Sequence, residues 1–325
     1  MKPPVQGMNI GQLFEAAVRL IGATLKRNLL ILLVVFLPGM LPLFASVYYA
    51  MNTVGKWVSD SPSFGPESPF PDFVQFLPML LFFCVGLLAM GVTSVLAQSA
   101  MMVANASEME GEELTWTDAL KLASGMRLVR MFGAYLLMGG AFAALFLVPV
   151  SLFFIPQQVT IFAGVLLIIA AMPVIAWLSI RWAFVQIIVP WEGDEVMHSF
   201  ARSSFLVSDN WWRTLGMMIL FGFAAGTVTS IAVMPVTMIM MFGNMASLIP
   251  DMNGPMQPEM MLRMFRGMAV GYSITILLNA GLQMIMQASY MVVLYYDLRA
   301  RKGEFKTPEM QAGGPAPLDI PYPLV

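Results

Sequence analysis

Three amides fall on one face of the last long apolar run: Asn279, Gln283 and Gln287 recur at i, i+4 and i+8. Ser273 and Thr275 precede them. In hydrocarbon such groups need hydrogen-bond partners. The stripe therefore has three readings: bonds to neighbouring helices, the polar lining of a substrate path or lipid-headgroup cavity, or a homo-oligomer interface. Methionine offers a second chemistry. Met252, Met256, Met260, Met261, Met264 and Met268 crowd one segment, and thioethers are soft ligands that select Cu(I). Yet the chain holds 31 methionines, with Met217, Met218, Met238, Met240 and Met241 inside an apolar run. Methionine as a flexible core filler explains both groups, which leaves copper on the outer face a minor alternative.

The other reactive side chains point to little chemistry. His198 is the single histidine and follows Asp194 by four residues. Cys84 is the single cysteine and lies within an apolar run, so no disulfide framework or cysteine metal site can form within the chain. Glu108, Glu110, Glu112, Glu113 and Asp118 suit a solvated loop and a helix N-terminus. No Ser/His/Asp set, paired histidines, glycine-rich phosphate loop or nucleophile elbow occurs. No charge sits in the middle of an apolar run. Arg181, beside Trp182, is the nearest and can snorkel to an interface. The expectation is a non-enzymatic chain with no catalytic residue, cofactor or bound metal.

The elements that carry these residues are long and apolar. Of 325 residues, 58% are hydrophobic and 11% charged, where soluble domains carry about 25% charged residues. A net charge of −2 gives no basic field for nucleic acid. Crossing a bilayer core takes roughly 20 helical residues. Six runs suffice, near 29–50, 77–103, 131–155, 159–189, 214–243 and 268–296. The fold class is thus all-α integral membrane, a single six-helix transmembrane domain over 1–306. The Pro/Gly-rich tail 307–325 reads as disordered.

Charge sets the expected topology. With the N-terminus inside, cytoplasmic segments hold fourteen of the Lys and Arg residues. Outer segments hold only Lys56, Arg263 and Arg266. That bias places both termini in the cytoplasm. Segments 11–22, 117–130 and 195–207 each read as a short amphipathic interfacial helix leading into a span. Three helix-hairpin repeats are a reading of that pattern. Trp211, Trp212, Arg213, Tyr295, Tyr296, Arg299, Arg301 and Lys302 fall at span ends, where headgroup anchors belong. Asp297 and Arg301 form an i, i+4 pair there, and Gly193 can end the fourth span.

Two stretches carry a resemblance. One runs Pro190-Trp-Glu-Gly-Asp-Glu-Val-Met-His-Ser-Phe-Ala-Arg-Ser-Ser-Phe-Leu-Val-Ser-Asp-Asn-Trp-Trp-Arg213, the other Tyr295-Tyr-Asp-Leu-Arg-Ala-Arg-Lys-Gly-Glu-Phe305. With the six-span layout they resemble the bacterial and archaeal membrane proteins related to the membrane domain of glycerophosphoryl diester phosphodiesterases. The resemblance implies six helices with interfacial helices and no settled activity. The chain has no soluble phosphodiesterase domain, so that activity is not carried over. The expected partners are the lipid bilayer and a membrane protein partner or second copy, in a prokaryotic inner membrane. The leading function is an accessory, scaffold or assembly subunit. The alternative is a transporter or lipid-handling protein that uses the stripe.

Overall fold

A computed structural model describes residues 3–60, 73–155, 157–248 and 258–305. The methionine-rich segment lies outside them at Met252 and Met256, and its remaining side chains are likewise not described. The 307–325 tail also lies outside. Among the described residues all regular structure is helical. Six helical stretches are long and apolar enough to cross a membrane, and the chain is an integral, multi-pass membrane protein.

The first span is preceded by α1 (Ile10–Ile31), which passes through a π turn (Leu32–Phe36) into α2 (Leu37–Asp60). Asn9 caps α1: its Oδ1 accepts from the Gln12 amide at 2.8 Å while Gln12 Oε1 accepts from the Asn9 amide at 2.9 Å. Span two is α3 (Phe73–Glu110). Then come α4 (Trp116–Ala123), α5 (Met126–Ser151) and α6 (Gln158–Arg181). A short helical piece, α7 (Val185–Ile187), runs into a second π turn (Ile188–Glu192). The chain ends with α8 (Val196–Val207), α9 (Trp211–Leu248) and α10 (Pro258–Arg301).

Span four is shorter than its hydropathy. Its helix ends at Arg181 rather than near 189. The Ser203 hydroxyl of α8 staples the break, donating to the Arg181 carbonyl at 2.7 Å and accepting from the Phe184 amide at 3.2 Å. Phe184, Ile187, Ile188 and Val189 are fully buried in protein. They are apolar because they pack, not because they meet lipid. Gly193 then turns the chain with φ +75°, a left-handed conformation that glycine adopts without a Cβ clash.

In lipid, apolar burial gives helices no net drive to associate, so close backbone approach and interhelical hydrogen bonds must hold them. α2 and α3 meet through glycine. A methyl on Gly86 would lie 2.8 Å from Leu43 Cα, and one on Gly39 would run into the Thr93 side chain. Gly281 of α10 similarly faces Leu32. Gly86→Val should therefore destabilise the bundle by about 1–3 kcal/mol. Gly139→Val, on an α5 position with no atom within 4 Å, is the control. Thermal unfolding in detergent that treats both variants alike would sink this account of the α2–α3 contact.

The contact ladder also shows how α1 lies. From Asn9 to Asn28 the helix advances about 28 Å along its own axis. The neighbouring Met8 and Asn28 network partners on α10, Asp297 and Ser289, are separated by only about 12 Å of helix. α1 is thus tied to α10 at its start through Met8 and near its end through Asn105 of α3. Beyond Asn28 the chain runs antiparallel to α3, with Asn28 against Asn105 and Gly39 against Thr93.

The core gathers α1, α2, the second half of α3, α9 and α10. The α5–α6 hairpin stands apart. Met131 and Ala134, in the first turns of α5, pack on Val185 and Val189 with Val95, Val196 and Phe200. Farther along α5 only Pro149 is buried, and it lies against Gly164 of its own hairpin partner.

Candidate functional site

The two motifs meet at one end of the bundle. Arg202 of α8 bridges two carboxylates, Glu192 at 2.5 Å and Glu304 at 3.2 Å. The Tyr295 hydroxyl donates to the other Glu192 oxygen. Arg299 donates to Glu304 at 2.7 Å and lies over the rings of Tyr295, Tyr296 and Phe305, 4.8–5.4 Å from their centroids. The Tyr296 hydroxyl donates to Glu110 at 2.6 Å. Lys302 pairs with Asp209 at 2.5 Å and sits over Phe205.

A second node centres on Asp297, which is fully buried. It accepts from the Met8 amide at 2.6 Å and from Arg301 Nε at 3.0 Å, with Arg213 Nη2 at 3.4 Å. The Met8 carbonyl accepts from both arginines, at 2.7 and 2.8 Å. The segment before α1, the start of α9 and the end of α10 are thereby tied to one carboxylate. Arg27 adds a further strut, holding Glu108 at 2.5 Å and the Leu114 carbonyl at 3.0 Å. Arg127 and Arg130 of α5 donate to the carbonyls of Pro190 and Gly193.

Chemically this end is a clamp. Each of these carboxylates faces a cation or a hydroxyl of the same chain, which satisfies buried charge. Among the described residues no group of three His, Cys, Asp or Glu could hold a metal ion. His198 and Asp194 form the i, i+4 pair, 2.8 Å apart, on α8.

The sequence-derived anchors divide here. Trp212 is 79% exposed, and Trp211 donates to the Trp177 carbonyl at 3.4 Å. Tyr295 and Tyr296 are fully buried, so their hydroxyls reach carboxylates of this chain and not headgroups. Arg213, Arg299, Arg301 and Lys302 each hold an acid from another element or their own helix. Position at the edge of an apolar run gives depth but not the direction a side chain faces. The unused signal was the set of acids near the same span ends, Glu110, Glu192, Asp209, Asp297 and Glu304, which partner Arg202, Arg213, Arg299, Arg301 and Lys302.

The amide stripe is not gathered into one site. Thr229 of α9 donates to Gln283 Oε1 at 3.3 Å, and Thr237 meets Thr275 at 3.4 Å. Asn279 is exposed and Gln287 half-buried. A different amide set is fully buried. Asn28 donates to Asn105 at 3.0 Å and to Thr24 at 3.1 Å, and Asn105 donates to Ser289 at 3.3 Å. These bonds join α1, α3 and α10. Beyond the i, i+4 pair Thr24–Asn28 on α1, no period marks them, because the partners lie on different helices. Asn105→Leu should cost about 1–2 kcal/mol, since two interhelical bonds go and Asn28 loses a partner. In a cycle with Asn28→Leu, the double variant should cost less than the sum. Strict additivity would mean the two amides do not interact.

Two concavities complete the description. A shallow groove of about 690 Å³ runs between Pro173 and Trp177 of α6 and the Ser208–Arg213 segment. A smaller cavity of about 130 Å³ lies where the α5–α6 hairpin joins the core, lined by residues that include Met131, Tyr135, Ser179, Gln186 and Met218. A scan against protein-family models, a search of curated proteins and a search of solved structures each found no match.

Proposed function

We propose that the chain is a non-enzymatic membrane protein that acts by contact, as an accessory, scaffold or assembly subunit of a membrane complex. The observation that carries this reading is the α5–α6 hairpin. It is attached at its first turns, and its remaining length exposes large apolar side chains on both helices, among them Leu136, Leu147, Phe154, Phe162 and Ile169. A hairpin that meets its own bundle mainly near its root offers its outer faces to helices of another protein, and helix association in lipid needs such packing surfaces. The excess of Lys and Arg on the clamped side supports a cytoplasmic position for that end. A prokaryotic inner membrane and kinship with the membrane domain of glycerophosphoryl diester phosphodiesterases rest on the two sequence motifs. A carrier built on the α10 stripe has less support, because Gln283 already accepts the Thr229 hydroxyl and Asn279 faces outward.

The test is extraction of the native protein in mild detergent, with its assembly mass measured. A stoichiometric partner that is lost on Leu147→Trp/Phe162→Ala supports the proposal. A lone monomer with no copurifying chain overturns it.

A further inference from the structure

We propose that the cavity at the root of the α5–α6 hairpin binds the uncharged head of a diacylglycerol. This site is separate from the contact surface proposed above and does not depend on it. Three side chains that line it have polar groups with no hydrogen-bond partner among the described residues. Among the described residues the Tyr135 and Ser179 hydroxyls make no hydrogen bond. Gln186 accepts from Gln98 at 3.2 Å through its carbonyl, and among the described residues its NH₂ makes no hydrogen bond. Where lipid or protein rather than water covers such groups, a bound molecule gains by satisfying them.

Size and charge select the ligand. An apolar cavity of about 150 Å³ holds a benzene-sized molecule. A volume of about 130 Å³ therefore admits a head of roughly six non-hydrogen atoms, the size of a glycerol unit. No Lys, Arg, Asp, Glu or His lines the cavity. A phosphate would enter without a counter-charge, and burying an uncompensated anion is costly. The two cations adjacent in sequence to lining residues are engaged elsewhere: Arg130 donates to the Gly193 carbonyl, and Arg181 is turned over the Trp177 ring, 4.6 Å from its centroid. A free hydroxyl and ester carbonyls match one amide donor and two hydroxyls. Met131, Met138, Val185 and Met218 supply the apolar part of the lining, against which the start of an acyl chain can lie.

The full chain is placed in phosphatidylcholine nanodiscs with photoreactive diazirine-chain lipids: diacylglycerol, phosphatidic acid and phosphatidylcholine of identical chains. The expected result is saturable diacylglycerol labelling on α5, α6 and α9, displaced by unlabelled diacylglycerol. Tyr135→Phe/Gln186→Leu should weaken it by at least about fivefold, from two lost intramembrane bonds. Ser179→Phe, which fills the cavity, should abolish it, with gel-filtration profile as the check on folding. Equal labelling by phosphatidylcholine means annular lipid only and overturns the proposal. Preference for phosphatidic acid overturns the neutral head. The three-probe comparison on the wild-type chain decides both without any variant.

Discussion

Asp297→Ala should lower the stability of the protein in detergent by about 3–5 kcal/mol, the range for removing one partner from a buried ion pair. The carboxylate is fully buried and serves Arg213, Arg301 and the Met8 amide together. Without it two guanidinium groups face each other across the Met8 carbonyl with no anion between them. Asp297→Asn keeps an acceptor for the Met8 amide but not the charge, so its loss should be smaller. Thermal unfolding followed by gel filtration reads both. An Asp297→Ala protein that unfolds at the wild-type temperature would show that the node is not a clamp.

Arg202→Met should cost about 3 kcal/mol. The side chain is only 11% exposed and is the bridge between Glu192 and Glu304. Methionine retains the apolar stem, so the effect isolates the guanidinium. Glu192 would then keep only the Tyr295 hydroxyl, and Glu304 only Arg299. Arg202→Lys should recover part of the loss, because a single ammonium cannot span two carboxylates as the planar fork does. In a double-mutant cycle, Arg202→Met with Glu192→Gln should show coupling of about 1–3 kcal/mol. A cycle with no coupling would assign the cost of Arg202→Met to packing alone.

Both variants act within the two stretches that the sequence marked, though local rules showed only part of what those residues do. The six spans were legible because a bilayer imposes a length and a polarity that few soluble helices share. Gly193 as a helix end and Asp297–Arg301 as a pair were legible from local rules, and both occur. What could not be read is azimuth. Hydropathy does not distinguish Ile187 and Ile188, buried in protein, from Leu136, exposed on the hairpin. It extended span four past Arg181 for that reason. The same blindness put Tyr295 and Tyr296 at the headgroups, although both rings turn into the clamp. Regular spacing drew attention to Asn279, Gln283 and Gln287, whereas the fully buried amides are Asn28 and Asn105 on two other helices. A pairing between distant helices leaves no period in either one.

The closure of Asp297 on Met8 also bears on how the chain is made. Synthesis delivers the N-terminal segment first and the sixth span last. Met8, Asn105 and Arg213 therefore reach the membrane before Asp297 and Ser289, their partners on α10, have been translated. During that interval the early helices carry unanswered donors, and the arrival of one final helix answers them together. A nascent chain halted before α10 would display Arg213 without its carboxylate and a free Met8 amide where the finished protein displays neither. That difference gives a quality-control protease a chemical mark by which to tell an interrupted product from a complete one.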